Sequence, residues 1–393
     1  MTQRILFITN RNIVTTCGEL RLIKNRAEVL FSQYGVVTDF LALTRSERMD
    51  AECKEVINAG GSLSIIKQDA KKPVSILWAR RQLKNEIKKR IKLGRYTTVI
   101  LSGAGIPSYS KFIKKINDSV KIYVDSHGSS EDILELAKTQ RIKKRLFYRI
   151  VFWLDKFGYW KAAKYTDGYF VVTNALKEYL RKRYKIGDKS DFVIAPCATT
   201  NSDEQYYSNY NRYRYEYREK YNIGVSTKVF IYSGGVSAWQ CIEETIALYR
   251  EIKKEVQDVK MLIFSHNKEA IKKIIGDDSD IIVDSYRPEE LRKALCAGDY
   301  AFLLRKDCIT NNVAFPNKFL EYVQSGMRII ATPYVVEIAR QIEKNDIGVL
   351  YKLDGNYADI IADINSVHKK DWKITQKILC DNSFETTLHT FTS

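Results

Sequence analysis

The feature that most constrains this chain is an alternation. Short apolar runs occur at residues 5–9, 36–43, 62–66, 98–101, 121–124, 168–173 and 192–195, separated by helical stretches such as 20–33 and 76–93. A second series follows at 228–232, 259–264, 281–283, 300–304, 328–331 and 348–351. Brief apolar runs alternating with helical patterns predict parallel sheets with helices on both faces. Between the two series, residues 198–224 hold seven tyrosines and no sustained strand pattern, so the junction between two domains is expected there. A chain of 393 residues also exceeds what one core usually holds. The expected organisation is a first domain over 1–200, a second over 201–375, and a helical end over 376–393 that packs back across the junction.

Charge is distributed unevenly. Residues 1–196 hold 38 Lys and Arg against 19 Asp and Glu, whereas the remainder holds 26 against 28. Two segments concentrate the excess. Residues 71–95 carry ten cations and one acid, Glu86; residues 138–164 carry nine cations and one acid, Asp155, interleaved with Phe147, Phe152, Trp153, Phe157 and Trp160. Three readings fit the second segment: an anionic membrane surface, a solvated basic face over an ordinary core stripe, or a nucleic-acid patch. The seven cysteines contain no CxxC and the four histidines form no ligand-spaced cluster, which suits a reducing cytoplasm and no metal. The opening MTQRILFITN enters a strand without a signal-peptide pattern, and stretches such as 146–154 are too short and too charged to span a bilayer.

Residues 314–332, AFPNKFLEYVQSGMRIIAT, read as a proline stop, a short helix ending at Gly326, and a buried strand. Phe319, Leu320 and Val323 are spaced to face a core, leaving Lys318, Glu321 and Tyr322 at the helix opening. A lysine in the first turn of a helix suits an anion, since the free N–H groups and the dipole favour negative charge there; a solvated Lys–Glu pair is the plain alternative. In doubly wound sheets ligands bind beyond the carboxyl ends of the strands, so the loops to inspect are 9–21, 102–107, 125–131, 233–240, 265–267, 284–288 and 305–317.

Taken in order, YSGG after the first strand of the second series, SYRPEEL before a helix, LLR at a strand end and PNKFLEYVQSGMRIIAT resemble a GT-B glycosyltransferase. More narrowly they are similar to bacterial members of glycosyltransferase family 4, and DSHGSSEDILE is similar to a first-domain motif of members that build surface polysaccharides. The resemblance implies an α/β GT-B fold, two Rossmann-like doubly wound parallel-sheet domains facing a central cleft. It places Glu321 on the donor ribose, Arg305 and Lys318 on the diphosphate, Gly234 and Gly235 at a turn approaching it, and Ser285 and Tyr286 near the base. His127, with Asp125 beside it, is implied at the transferred sugar, and Gly18 and Arg21 at the acceptor. No cofactor is implied; a nucleotide-diphosphate sugar is the co-substrate.

The chain departs from the family pattern. Val313 stands where the first glutamate of the family's paired-glutamate motif belongs. Val236, Ser237, Ala238, Trp239 and Gln240 replace the cations many relatives carry after the glycine turn, and Gly18 is single rather than paired. The expected activity is transfer of a sugar from a nucleotide-diphosphate donor to a saccharide acceptor, lipid-linked, with retention and without metal. The expected place is the cytoplasmic face of the cell membrane, with nucleic acid a disfavoured partner. A sugar-nucleotide epimerase, a nucleic-acid-binding or -glycosylating protein and a non-catalytic scaffold remain as alternatives.

Overall fold

The structure, a computed structural model, describes residues 3–13, 18–44, 60–69, 72–138, 140–196, 204–353 and 355–392. The chain forms two compact units: Met1–Pro196 together with Phe384–Ser393, and Cys197–Ser383.

The first unit is built on seven strands, β1 (Arg4–Thr9), β2 (Val37–Thr44), β3 (Leu63–Lys67), β4 (Thr98–Ser102), β5 (Lys121–Ser126), β6 (Gly168–Val171) and β7 (Asp191–Ile194). All are parallel, in the order β3-β2-β1-β4-β5-β6-β7. The apolar runs became strands because a parallel strand is covered on both faces and must be apolar at nearly every position. Ile5, Leu6 and Ile8 are fully buried, and Phe7 pairs in register with Phe40 and Ile100. Strand order reverses between β1 and β4, which makes their carboxyl ends a topological switch point.

The helical pattern at the C-terminus is not one helix. It divides into Trp372–Asp381, Phe384–Thr387 and His389–Thr392, the first begun by Asp371, whose carboxylate accepts the N–H groups of Lys373 and Ile374. The last two pieces belong to the first unit, where Phe384 is buried and Phe391 packs edge-on against Tyr123 and Phe170.

The second unit has six parallel strands, β8 (Lys228–Ser233), β9 (Val259–Phe264), β10 (Ile281–Asp284), β11 (Tyr300–Leu303), β12 (Arg328–Ala331) and β13 (Gly348–Leu350), in the order β10-β9-β8-β11-β12-β13. Its switch point lies between β8 and β11. From residue 204 onward the tyrosine-rich stretch is helical, Glu204–Ser208 and Tyr210–Lys220, and packs into this unit. Tyr206 and Tyr210 are buried with their hydroxyls bonded: Tyr206 meets Ser325 Oγ at 3.1 Å and Tyr210 donates to the Cys296 carbonyl at 3.2 Å. Arg214 and Arg218 of the same helix converge on Asp299, which also accepts the Val229 N–H at the start of β8.

The helix Asn317–Gln324 buries Phe319, Leu320 and Val323 as its spacing requires, and Gly326 ends it at φ +61°. Pro316 stands just outside, at the cap position. Tyr322 corrects the sequence reading. It is three residues beyond Phe319, shares that residue's face, and is fully buried instead of flanking the opening. Its hydroxyl accepts the Ser233 N–H at 2.8 Å, closing the end of β8. Tyr322→Phe leaves that buried N–H without a partner and is expected to lower the unfolding free energy by about 1–3 kcal/mol in urea titrations. An unchanged denaturation midpoint would show that the bond contributes nothing.

Candidate functional site

In the second unit, the polar groups gather at the β8–β11 switch point. Tyr232, the penultimate residue of β8, donates its hydroxyl to the Gly235 carbonyl at 2.6 Å and so fixes the glycine turn. Lys318, in the first turn of its helix, lies over the Tyr232 ring at 5.6 Å. A Cβ on Gly234 would stand 2.0 Å from the lysine Nζ, so glycine is what lets the ammonium approach this backbone.

Arg305 follows β11 and is 5% exposed; its Nη1 donates to the Leu304 carbonyl at 2.7 Å and its N–H to Thr332 Oγ1 at 2.9 Å. Among the described residues neither Arg305 nor Lys318 forms an ion pair with a carboxylate. Burial lowers the pKa of both, and the proximity of Arg305 pushes Lys318 further down while Glu321 opposes it. Two adjacent buried cations without a counter-ion are costly, and an anion seated between strand ends and helix would relieve the cost. Glu321 lies one turn beyond Lys318 on the same helix, close enough to act on its charge.

Ser285 and Tyr286 follow β10. Ser285 Oγ meets His266 Nδ1 at 2.7 Å, a pairing the sequence reading did not contain. Tyr286 is 9% exposed, packed edge-on by Tyr217 and Phe264, and its hydroxyl is engaged by Lys220 at 2.7 Å and by Tyr221. Its side chain is thus bound up within the protein, while Ser285 and His266 are the more open pair. Val313, at the position of the absent glutamate, is buried at 4%.

In the first unit, Asp125 is the penultimate residue of β5 and is 1% exposed. It accepts Arg26 Nη1 at 2.8 Å, Ser102 Oγ at 3.0 Å and His127 Nε2 at 2.8 Å. Burial raises its pKa, but Arg26, His127 and Arg11 outweigh burial and hold the carboxyl well below the usual range. Burial pushes the His127 ring down, Asp125 opposing in part, so the imidazole is neutral near pH 7. An ionised carboxylate only accepts, so Nε2 donates and Nδ1 is left as the basic atom of the ring.

Gly18 and Arg21 open the helix Gly18–Tyr34, and the arginine that reaches Asp125 from this helix is Arg26. Arg26 was missed in sequence; its one signal is a cation set among Leu22, Ile23, Ala27 and Leu30, all buried. Arg11, which donates Nε to Ser102 Oγ at 2.9 Å beside the β1–β4 switch point, was missed too.

The basic aromatic segment forms the helix Ile142–Ala162. Its apolar row does not face the core: Ile142, Leu146, Ile150, Trp153, Phe157 and Trp160, spaced three and four apart, are all more than half exposed. Lys156, Lys161 and Lys164 lie over the rings of Trp153, Phe157 and Trp160. The opposite side, Phe152, Asp155, Tyr159 and Ala162, is buried. Among the described residues no helix is long and apolar enough to cross a membrane.

The depressed ammonium of Lys318, at about 7, carries a test. Its folded pKa lies below its unfolded value, so without ligand the group penalises folding in full below about pH 7, and the penalty falls away progressively as pH rises from there to the ordinary lysine value. A bound diphosphate favours the charged form and reverses the shift. Uridine diphosphate binding near pH 8, followed by calorimetry in buffers of different ionisation enthalpy, is expected to take up roughly one proton. Lys318→Gln should bind more weakly with no uptake; full uptake in that variant would place the proton elsewhere.

No protein-family model matches the chain, and no curated protein matches it. Solved structures do match in fold. The lipopolysaccharide outer core galactosyltransferase WaaB in its apo form aligns with TM-score 0.67 and 14% identity over 99% of this chain and 98% of that one. A glycosyltransferase from Rickettsia africae ESF-5 aligns with TM-score 0.67 and 15% identity over 99% and 97%. The S. aureus MnaA–UDP co-structure aligns with TM-score 0.51 and 12% identity over 98% and 92%. With its two parallel-sheet units, the chain has the GT-B fold of these glycosyltransferases.

Proposed function

We propose that this protein is a glycosyltransferase that takes a sugar from a nucleotide-diphosphate donor held by its second unit. The observation that carries the reading is the pair of buried cations, Arg305 and Lys318, with no carboxylate partner among the described residues, beside the Gly234–Gly235 turn. Breaking a glycosidic bond to a diphosphate leaves charge on the departing oxygens, and preorganised cations in a water-poor site stabilise that charge as it develops. Glu321 is assigned to the ribose, and Ser285 with His266 to the base. The neutral His127, oriented by Asp125, is assigned to the sugar undergoing transfer, with retention of configuration as the family resemblance implies.

The acceptor is assigned as a lipid-linked saccharide at the cytoplasmic membrane face. The exposed apolar row of the Ile142–Ala162 helix, bordered by cations, supports an anionic bilayer as the surface it meets. A nucleic-acid groove would instead call for cations without a row of exposed aliphatic side chains.

Incubation with a panel of uridine, guanosine and thymidine diphosphate sugars, with and without membrane lipid extract, is expected to release nucleotide diphosphate with at least one donor. Arg305→Gln and Lys318→Gln should reduce that release by about tenfold or more without lowering the melting temperature of the unliganded protein. Release undiminished in both variants would refute the assignment. Epimerisation of UDP-N-acetylglucosamine with no acceptor present would favour the second reading, a sugar-nucleotide epimerase, since a putative UDP-N-acetylglucosamine 2-epimerase from Listeria monocytogenes shares this fold at TM-score 0.52.

The bilayer assignment has its own check. The protein should sediment with vesicles containing phosphatidylglycerol and be released by high salt, since exposed charges are screened over roughly 10 Å at 0.1 M. Reversal of Lys144, Arg145 and Arg149 to Glu should weaken this binding. Equal binding to neutral vesicles would refute an anionic surface as the partner.

A further inference from the structure

The helix Ile142–Ala162 has an inner face whose contacts the reaction above does not use. Asp155, the one acid of the basic segment, is 8% exposed and accepts Ser130 Oγ at 2.5 Å. One turn on, Tyr159 is 6% exposed, donates its hydroxyl to Ser126 Oγ at 2.7 Å, and stacks on Tyr184 with ring centroids 5.0 Å apart. Tyr184 in turn meets Ser130 Oγ at 2.9 Å. Ser126 is the residue between Asp125 and His127, and Ser130 precedes the helix Glu131–Lys138. The helix therefore grips the His127 segment at both ends, at residue 126 and at residue 130.

The same face touches a second strand end. A Cβ on Gly158 would lie 3.3 Å from Gly105 Cα, in the turn after β4, where Gly105 has φ +75°. So close a glycine–glycine approach leaves little slack between helix and turn. The exposed row and the gripping residues are on opposite sides of one rigid helix.

We infer that the Ile142–Ala162 helix is a coupling element, in which contact of its outer face with an anionic bilayer is passed to the His127 segment through the Tyr159–Ser126 and Asp155–Ser130 hydrogen bonds. The inference rests on the bilayer reading of the outer face. Tyr159 and Asp155 are then positioning residues, acting through Ser126 and Ser130. Docking restrains the helix, and a restrained helix narrows the orientations open to Asp125 and His127. The regulated quantity is the order of the acceptor-side segment.

Hydrogen–deuterium exchange of the full chain, with and without phosphatidylglycerol–phosphatidylcholine vesicles, tests this without knowledge of the acceptor. In the wild type, peptides covering residues 142–162 and peptides covering 125–138 should both exchange at least about threefold more slowly with vesicles present. In Tyr159→Phe combined with Asp155→Asn, which keep ring and shape, the 142–162 peptides should still be protected while the 125–138 peptides no longer respond. Should that double variant fail to fold, Ser126→Ala with Ser130→Ala breaks the same bonds from the loop side. Protection of 125–138 undiminished in a folded variant, or protection of 142–162 alone in the wild type, overturns the coupling and leaves docking intact. No protection of 142–162 in the wild type overturns the bilayer reading, and the coupling with it.

Discussion

Everything in this molecule follows from covering two parallel sheets on both faces. Each strand exchanges its backbone hydrogen bonds with neighbours, and helices seal the faces, so the interior offers no place for a polar ligand. Only the strand ends remain, and at a switch point the chain leaves two adjacent strands in opposite directions, opening a crevice. In the second unit that crevice lies between β8 and β11, and Gly234, Arg305 and Lys318 are at its rim. In the first unit the carboxyl ends of β1, β4 and β5 bring Arg11, Ser102, Asp125 and His127 together.

The two candidate sites treat buried charge in opposite ways. Asp125 is enclosed with its counter-charge: Arg26 reaches it across 99 residues of sequence, and the guanidinium also lies over the rings of Phe170 and Phe384. Truncating one partner of a buried pair of this kind typically costs about 3–5 kcal/mol, so the Arg26–Asp125 pair holds the helix Gly18–Tyr34 to the sheet while leaving His127 oriented. Among the described residues Arg305 and Lys318 have no such partner. Their burial opposes the charged forms, and a protein gains nothing in stability from that arrangement. An anion seated where that strand end and helix start converge would offset this cost.

The helix Ile142–Ala162 shows how one element can meet two requirements. Its outer row is apolar and exposed, ringed by lysines, and its inner row carries the single carboxylate and a tyrosine hydroxyl toward the His127 segment. Asp155 is kept where burial raises its pKa, with Ser130 and Arg11 opposing the shift. A lone acid in a strongly basic stretch is a signal that sequence inspection can register, although not which hydroxyl it will find.

Local patterning determined the elements. The thirteen apolar runs match the thirteen strands among the described residues to within a few residues, because burial on both faces demands an apolar residue at almost every position, whatever the neighbour. Phe319, Leu320, Val323 and Gly326 took the roles that helical spacing and the left-handed stop assign them, and the ordered loop motifs were enough to point to the GT-B fold. What required tertiary structure was the direction of each face and the identity of each partner. Periodicity announced a stripe on residues 142–162 but not that it stays uncovered, since coverage depends on elements far away in sequence. It also left Tyr322 ambiguous, as an aromatic residue with a polar tip suits either an opening or a core. Arg26 and Asp125, His266 and Ser285, and Asp155 and Ser130 meet only when strands and helices are assembled, because pairing of buried charge and hydroxyl is settled by three-dimensional proximity and by what burial leaves unsatisfied.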